Sequence, residues 1–270
     1  MSEPIFEYVQ GDGPLLISFP HSGTYLPAAL GARLEPHALD MPDTDWFIPQ
    51  LYDFFGGLGA SIIRATHTRY AVDLNRAPDS APLYPGRRET TLCPVESFDG
   101  EALYRDGANP TTAEIAVRLR TYWQPYHDKL AQATRQISER HGRCVLWDAH
   151  SIRSRVPGLF DGRLADLNVG TAGGHSCSPA LSDRIVASLS AQSQFSFVLN
   201  GRFKGGYITR RYGNPAAGID AVQMEIAQCA YLEESRTPAF DAVRARPLRE
   251  LLRGLLSGIV GRSAAGPEAV

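Results

Sequence analysis

The sequence predicts an α/β protein: a layered sheet with helices on both faces. Short apolar runs of the buried-strand type alternate along the chain with longer stretches of helical period. Polar residues gather directly after several of the apolar runs, where open α/β sheets place their sites. The length, 270 residues with 43% hydrophobic content, suits one large domain over residues 1–260. Residues 261–270, small and polar, read as a flexible tail.

The elements follow in order. Residues 15–19 (LLISF) are an apolar run stopped by Pro20, a buried strand. Over 43–55, Trp46, Phe47, Leu51, Phe54 and Phe55 recur at helical spacing before Gly56-Gly57. Residues 60–66 and 70–74 (YAVDL) both read as strands. The stretch 78–109 is rich in Pro, Gly and Asp and reads as a long loop of the kind that lines sites. Thr111 and Glu114 form a capping box, opening a helix that runs to about 141, ends at Gly142 and is kinked or broken by Pro125. Residues 143–147 (RCVLW) are a buried strand, 179–191 a helix, 195–199 and 221–226 strands. The last element, 240–260, is an amphipathic helix with Leu248, Leu251, Leu252, Leu255 and Leu256 on one face.

Charge and composition exclude several functions. With 27 Lys and Arg against 29 Asp and Glu, the chain lacks the basic excess of a nucleic-acid binder. It is too apolar to be disordered, and no apolar run approaches the ~18 residues of a membrane span. The first ten residues carry no basic and apolar leader pattern. Cys93, Cys144, Cys177 and Cys229 are scattered without a CxxC pair, which favours a reducing cytoplasm. His175-Ser176-Cys177 is a weak metal signal; a loop His and a buried Cys explain it as well.

Four places break the apolar pattern. His21 follows the first strand in Pro20-His21-Ser22-Gly23, beside a glycine that permits close approach. Read alone, it is a loop histidine. Asp148 and His150 follow the strand RCVLW and, two residues apart, point the same way. A carboxylate beside a metal-binding imidazole fixes its tautomer; a capped turn is the alternative. Asp43 and Asp45 lie near a helix start, where one is explained by capping and the other is available as a ligand. Two histidines and one carboxylate, with a position left for water, form a catalytic zinc set. Glu225 sits inside the apolar run AVQMEI, where an unpaired carboxylate is costly. It reads either as a general base or as a surface residue of an edge strand.

Cations complete the set. Arg69 and Asn75-Arg76 flank YAVDL, and Lys204, Arg210 and Arg211 lie in GRFKGGYITRRYG. Arginine forks bind carboxylates, and the backbone N–H groups of Lys204-Gly205-Gly206 can hold an anion. Solvated surface charge explains Arg211 and most other arginines. Neither a Walker A spacing nor GxGxxG occurs.

Six motifs in order, PHSG (20–23), DTDW (43–46), RYAVDLNR (69–76), LWDAHSIRS (146–154), NGRFKGGYITRRYG (200–213) and VQMEIAQ (222–228), resemble the N-formylglutamate amidohydrolase family of bacterial histidine catabolism. The resemblance runs from about residue 5 to about 260. More distantly the chain is similar to the zinc carboxypeptidases and to the aspartoacylase and succinylglutamate desuccinylase group. It implies a three-layer α/β/α fold with a mixed, mostly parallel sheet, zinc-carboxypeptidase-like (phosphorylase/hydrolase-like). It also implies a small dianionic N-acyl amino acid as substrate, cleaved to formate and L-glutamate.

Carried over position by position, the resemblance implies metal ligands His21, Asp45 and His150, Arg69 as oxyanion stabiliser, and Glu225 as base. Asn75 and Arg76 would hold the α-carboxylate. Arg210 with Lys204, Gly205 and Gly206 is the candidate for the side-chain carboxylate. One departure stands out: the distant relatives place the first His and the carboxylate in HxxE, whereas Thr24 occupies that place here, so the carboxylate is taken from Asp45 in preference to Asp43. The ion expected is zinc, with iron, cobalt or manganese as alternatives. A deacylase for succinyl or acetyl amino acids, and an inactive binding module, are the competing readings.

Overall fold

The computed structural model describes residues 3–83, 86 and 88–261. Most of the expected tail, 262–270, lies outside them. The described residues form one seven-stranded sheet: β1 (Phe6–Val9), β2 (Leu15–Phe19), β3 (Ser61–Ala65), β4 (Cys144–Ile152), β5 (Leu167–Gly170), β6 (Phe197–Leu199) and β7 (Ile219–Ala227). Their order across the sheet is β1-β3-β2-β4-β7-β5-β6. β1 is antiparallel to β3 and β5 antiparallel to β7; the remaining pairs are parallel, so the sheet is mixed. The helices are α1 (Ala28–Gly31), α2 (Ile48–Leu51), α3 (Thr112–Arg118), α4 (Gln124–His141), α5 (Pro179–Ser190), α6 (Tyr207–Tyr212) and α7 (Ala242–Val260). No helix among the described residues is long and apolar enough to cross a membrane.

Side-chain parity explains why both faces are covered. In the central strands successive residues point to opposite sides. Ile17 of β2, Trp147 of β4 and Val222 of β7 enter a core shared with Ile185 of α5 and Leu252 of α7. Leu16, Leu146 and Ala221, the residues beside them, enter a second core with Leu130 of α4 and Ile208 of α6. A strand apolar on both sides must be capped on both sides, and each fully buried Leu or Ile contributes roughly 1.5–3 kcal/mol.

Several expected elements differ. Residues 70–74 form a buried, turn-rich loop and no strand. Both edges of β3 are taken, by β1 and β2, so no partner remains for them. Their apolar side chains are buried in two clusters, Tyr70 and Ala71 in one, Val72 and Leu74 in another. The helix expected over 43–55 shrinks to α2 followed by a 3-10 turn at Asp53–Leu58. Phe47 has a left-handed backbone (φ 57°), and Pro49 has no N–H to continue a helix from upstream. Pro125 acts as expected: α3 and α4 are joined by a π-turn at Leu119–Trp123, the wide turn absorbing the missing hydrogen bond. Thr111 caps α3, its hydroxyl accepting from the Glu114 amide at 3.2 Å. β4 runs on to Ile152, so Asp148 and His150 lie in the strand and not after it. β1, β5, α1 and α6 have no counterpart among the predicted elements.

Candidate active site

The site forms where the α4 face of the sheet turns polar. Along β4 the residues on that face read Cys144, Leu146, Asp148, His150; along β7 they read Ile219, Ala221, Gln223, Glu225. Apolar residues at the start of each strand pack on the helices, and His150, Gln223 and Glu225 toward its end line a cavity. His150 and Glu225 are register partners on adjacent parallel strands. His21 lies just past β2, and the Asp45 amide donates to its carbonyl at 3.1 Å. Gly23 permits this chain path: a Cβ there would lie 2.3 Å from the His67 carbonyl oxygen.

His21, Asp45 and His150 are all buried, and one potential ligand atom from each lies within 4.8 Å of the others. Among the described residues, this is the group of three or more such side chains placed to hold a metal ion. Asp45 Oδ2 is 2.9 Å from His150 Nδ1 and 3.8 Å from His21 Nδ1. Each imidazole also meets a second buried carboxylate at its other nitrogen: His21 Nε2 lies 2.7 Å from Asp73 Oδ1, and His150 Nε2 lies 2.9 Å from Asp148 Oδ2. Asp148 is itself held by the Ser18 hydroxyl at 2.9 Å. Two rings turned toward one carboxylate and steered from behind by two more is the donor chemistry of a divalent cation site. His175 is exposed and Cys177 buried, and they form no such group.

Asp43 is placed differently. Its Oδ2 accepts the Tyr70 hydroxyl at 2.9 Å and the Phe98 amide at 3.0 Å, tying the 98 loop to the 70 loop. Burial raises its pKa, against the pull of Arg69.

The charges around the trio are strongly coupled. Burial lowers the His21 pKa and Arg69 lowers it further, against Asp73 and Asp45. For His150 burial works the same way, but Asp148 and Asp45 outweigh it and hold the ring well above its usual value. Burial would lift Asp73; His21, Arg69 and Arg76 overcome this and hold it well below the usual carboxylate range. Burial pushes Glu225 up to about 8, with Asp45 adding to the rise and His150 opposing it. Gln223 Nε2 donates to Glu225 Oε2 at 3.3 Å.

Arg69 spans the cluster. Its Nη2 donates to Asp73 Oδ2 at 2.6 Å, its Nη1 lies 3.9 Å from Asp45, and its guanidinium sits 4.8 Å over the Phe98 ring. Those carboxylates raise its pKa against the cost of burial, so it is a permanent cation at the cavity wall.

The cavity, about 610 Å³ including its mouth, is lined by His21, Asp45, His150, Glu225, Arg69, Asn75, Arg76 and Gly206. Asn75 is fixed at three points: its Nδ2 lies 3.0 Å from His150 Nε2 and 3.3 Å from Asp148, and its Oδ1 accepts the Ile208 amide at 2.8 Å. Gly206 allows this, since a Cβ there would lie 2.3 Å from Asn75 Nδ2. The Gly206 amide donates to Gln223 Oε1 at 2.7 Å. Lys204, Gly205 and Arg210 are not among the lining residues, and Arg210 Nε donates to the Gly205 carbonyl at 2.9 Å. The loop 78–109 supplies part of the wall through Leu83, Arg88, Glu89, Thr90 and Phe98.

Sequence reasoning missed Asp73, Trp123, His127, Arg88 and Arg202. Asp73 carries the same signal as Glu225, a carboxylate inside an apolar run, but lies in a loop that has the pattern of a strand. Trp123 Nε1 donates to the Arg76 carbonyl at 3.0 Å and His127 Nε2 pairs with the Leu74 carbonyl at 2.8 Å, bracketing Asn75. Both sit on an otherwise ordinary helical pattern, which carries no signal. Arg88 and Arg202 line the cavity from loops distant in sequence.

The chain is similar to known proteins over nearly its whole length. A family model described as N-formylglutamate amidohydrolase matches residues 13–232. N-formylglutamate deformylase of Pseudomonas aeruginosa is 47% identical over 258 residues, covering 96% of this chain and 97% of that one. N-formylglutamate deformylase of Pseudomonas putida is 45% identical over 262 residues, covering 97% and 98%. The crystal structure of N-formylglutamate amidohydrolase from Ralstonia eutropha superposes with a TM-score of 0.80 at 23% identity, covering 95% of this chain and 97% of that chain, which shows the shared fold. By family match and by near-full-length identity, the chain belongs to the N-formylglutamate amidohydrolase family.

Proposed function

We propose that this protein is a metal-dependent deformylase that hydrolyses N-formyl-L-glutamate to formate and L-glutamate, as the names of its relatives indicate for those proteins. The observation that carries the reading is the buried trio His21, Asp45 and His150 beside a buried Glu225 at one end of the cavity. Residues 1–260 are read as one catalytic domain. The free thiols Cys93, Cys144, Cys177 and Cys229 agree with a cytoplasmic setting, and the substrate places the reaction in histidine breakdown.

The trio holds a divalent cation, with zinc the ion best matched to two imidazoles and a carboxylate. When bound, the ion supplies Lewis-acid chemistry toward water and the formyl oxygen. The protein's own groups do the rest. Glu225 accepts the proton of the attacking water at its carboxylate and returns it to the amine nitrogen as the C–N bond breaks. Burial of the Glu225 carboxyl favours its taking up a proton, as a group that must both take and give one requires. Arg69 faces the charge that develops on the formyl oxygen, and an electrostatic contribution of this kind is worth about 3–4 kcal/mol. Asn75, pinned to Asp148 and to the α6 backbone, and Arg76, aimed by the Thr90 carbonyl at 2.9 Å, hold the α-carboxylate.

Turnover of N-formyl-L-glutamate before and after chelation tests the proposal. Activity is expected to vanish with the metal and return on adding zinc. Full activity in metal-free protein, or equal turnover of N-acetyl and N-succinyl glutamate, would overturn it.

A further inference from the structure

We propose that Gln228 and Tyr231 are positioning residues for Asp45, turning it toward His21 and His150 by holding the peptide carbonyls on either side of it. The assignment rests on the metal-dependent reading above. Its starting point is where the three candidate ligands sit in the fold. His150 lies in β4, and the ladder to β7 fixes its backbone. His21 follows β2 closely. Asp45 has no strand or helix under it. It lies in an irregular stretch bounded by Met41 and Phe47, whose backbones are left-handed at φ 49° and 57°. A carboxylate on such a stretch keeps its direction only if contacts from elsewhere fix the neighbouring peptides.

Those contacts come from the turn after β7. Gln228–Ala230 is a 3-10 turn that follows the strand directly. Gln228 Nε2 donates to the Thr44 carbonyl at 3.0 Å, and the Tyr231 hydroxyl donates to the Trp46 carbonyl at 2.6 Å. The Thr44 carbonyl also accepts the Trp46 amide at 2.9 Å. The peptide that joins Thr44 to Asp45 is held at both ends, because its N–H donates to the His21 carbonyl at 3.1 Å. The same hold therefore reaches a second ligand. Ser151 links it to the third: beside His150 in β4, its Oγ lies 2.8 Å from the Tyr231 oxygen and 3.3 Å from Gln228 Nε2. Gln228, Tyr231 and Ser151 are all buried, so losing a donor leaves a carbonyl that water does not readily satisfy.

Neither Gln228 nor Tyr231 is among the residues lining the cavity, so their effect on the site passes through the Asp45 loop. The start of that loop is anchored separately. The Asp43 side chain accepts from Tyr70 and Phe98, and the Asp43 carbonyl accepts Arg69 Nη1 at 3.2 Å. The direction of Asp45 is left to the peptides that Gln228 and Tyr231 hold. Glu225 lies in the strand leading into the same turn, which ties the proposed base and the support of this ligand to one strand end.

The test is zinc affinity, measured by competition against a chelating indicator in metal-free wild type, Gln228→Met, Tyr231→Phe, the double variant and Tyr52→Phe. Each single change at 228 or 231 is expected to weaken zinc binding roughly tenfold, and the pair up to about 100-fold, the range for groups that orient a ligand. Tyr52→Phe is the matched control. Tyr52 is buried in the same apolar core as Tyr231 and its hydroxyl accepts Trp147 Nε1 at 3.0 Å, so the same atom is lost away from the peptides flanking Asp45. Its zinc affinity is expected to match wild type, although its melting temperature falls. Tyr231→Phe removes a single oxygen and carries the test by itself if the double variant does not fold. Wild-type zinc affinity in Tyr231→Phe, or an equal loss in Tyr52→Phe, overturns the assignment while the metal site stands. A wild-type protein that binds no zinc and hydrolyses formylglutamate without metal overturns the metal-dependent reading itself, and this assignment with it.

Discussion

His21 Nε2 sits 2.7 Å from Asp73 Oδ1, and Asp73 is in turn bound to Arg69 at 2.6 Å. One buried carboxylate therefore orients a ligand imidazole and fixes the cation at the cavity wall. The Asn75 amide donates to the same carboxylate at 2.9 Å, so the residue also shapes the turn that presents Asn75 and Arg76. Asp73→Asn is expected to weaken metal binding by roughly 10–100-fold, the usual effect of removing such a support. Competition against a chelator of known affinity measures it. Wild-type affinity in the variant would remove Asp73 from the metal site.

Asp43 and Asp45, two residues apart, predict opposite results. Asp45 faces both imidazoles, whereas Asp43 accepts from Tyr70 and Phe98. Asp45→Asn is expected to lose stoichiometric metal on purification. Asp43→Asn is expected to keep it, at a stability cost of about 1–3 kcal/mol from the disturbed hydrogen bonds. Elemental analysis with a denaturation curve separates them; metal lost from the Asp43 variant and kept in the Asp45 variant reverses the assignment.

Glu225→Gln preserves size and can still accept from Gln223, but it cannot take a proton from water. We expect kcat to drop by about 10²–10⁴-fold with metal content unchanged. Near-normal turnover in this variant would exclude Glu225 as the base.

His127 gives a pH dependence away from the metal. Burial lowers its pKa to about 4, against the Leu74 carbonyl and Asp148, from an ordinary 6.5. As pH falls, the unfolded chain takes up this proton first. The contribution is therefore complete above about pH 6.5 and is lost progressively toward about pH 4. The loss amounts to at most roughly 3 kcal/mol. Melting curves of metal-free wild type and His127→Gln are expected to diverge in slope over that window, with the variant flatter. Parallel curves would sink the assignment.

Much of the fold is legible in the sequence because burial leaves a local trace. Residues 15–19, 143–147 and 221–226 are mostly apolar, as strands covered on both faces must be. Glu225, Asp148 and His150 stand out because they interrupt or end such runs. The trace misleads at YAVDL, where apolar residues are buried in a loop and the strand pattern concealed Asp73. It is absent for β5, whose four residues are too few to set a period.

The sequence alone determined the α/β class, the two-sided core and the residue types of a metal-dependent hydrolase, since these depend on composition and local period. Tertiary structure decided which residues meet. Asp45 and not Asp43 turns to the histidines, Asp73 crosses 52 positions to reach His21, and Arg202 and not Arg210 lines the cavity. Such choices depend on the direction of each side chain and the crossing of distant loops. A linear spacing does not encode either one; the packing of helices against a twisted sheet does.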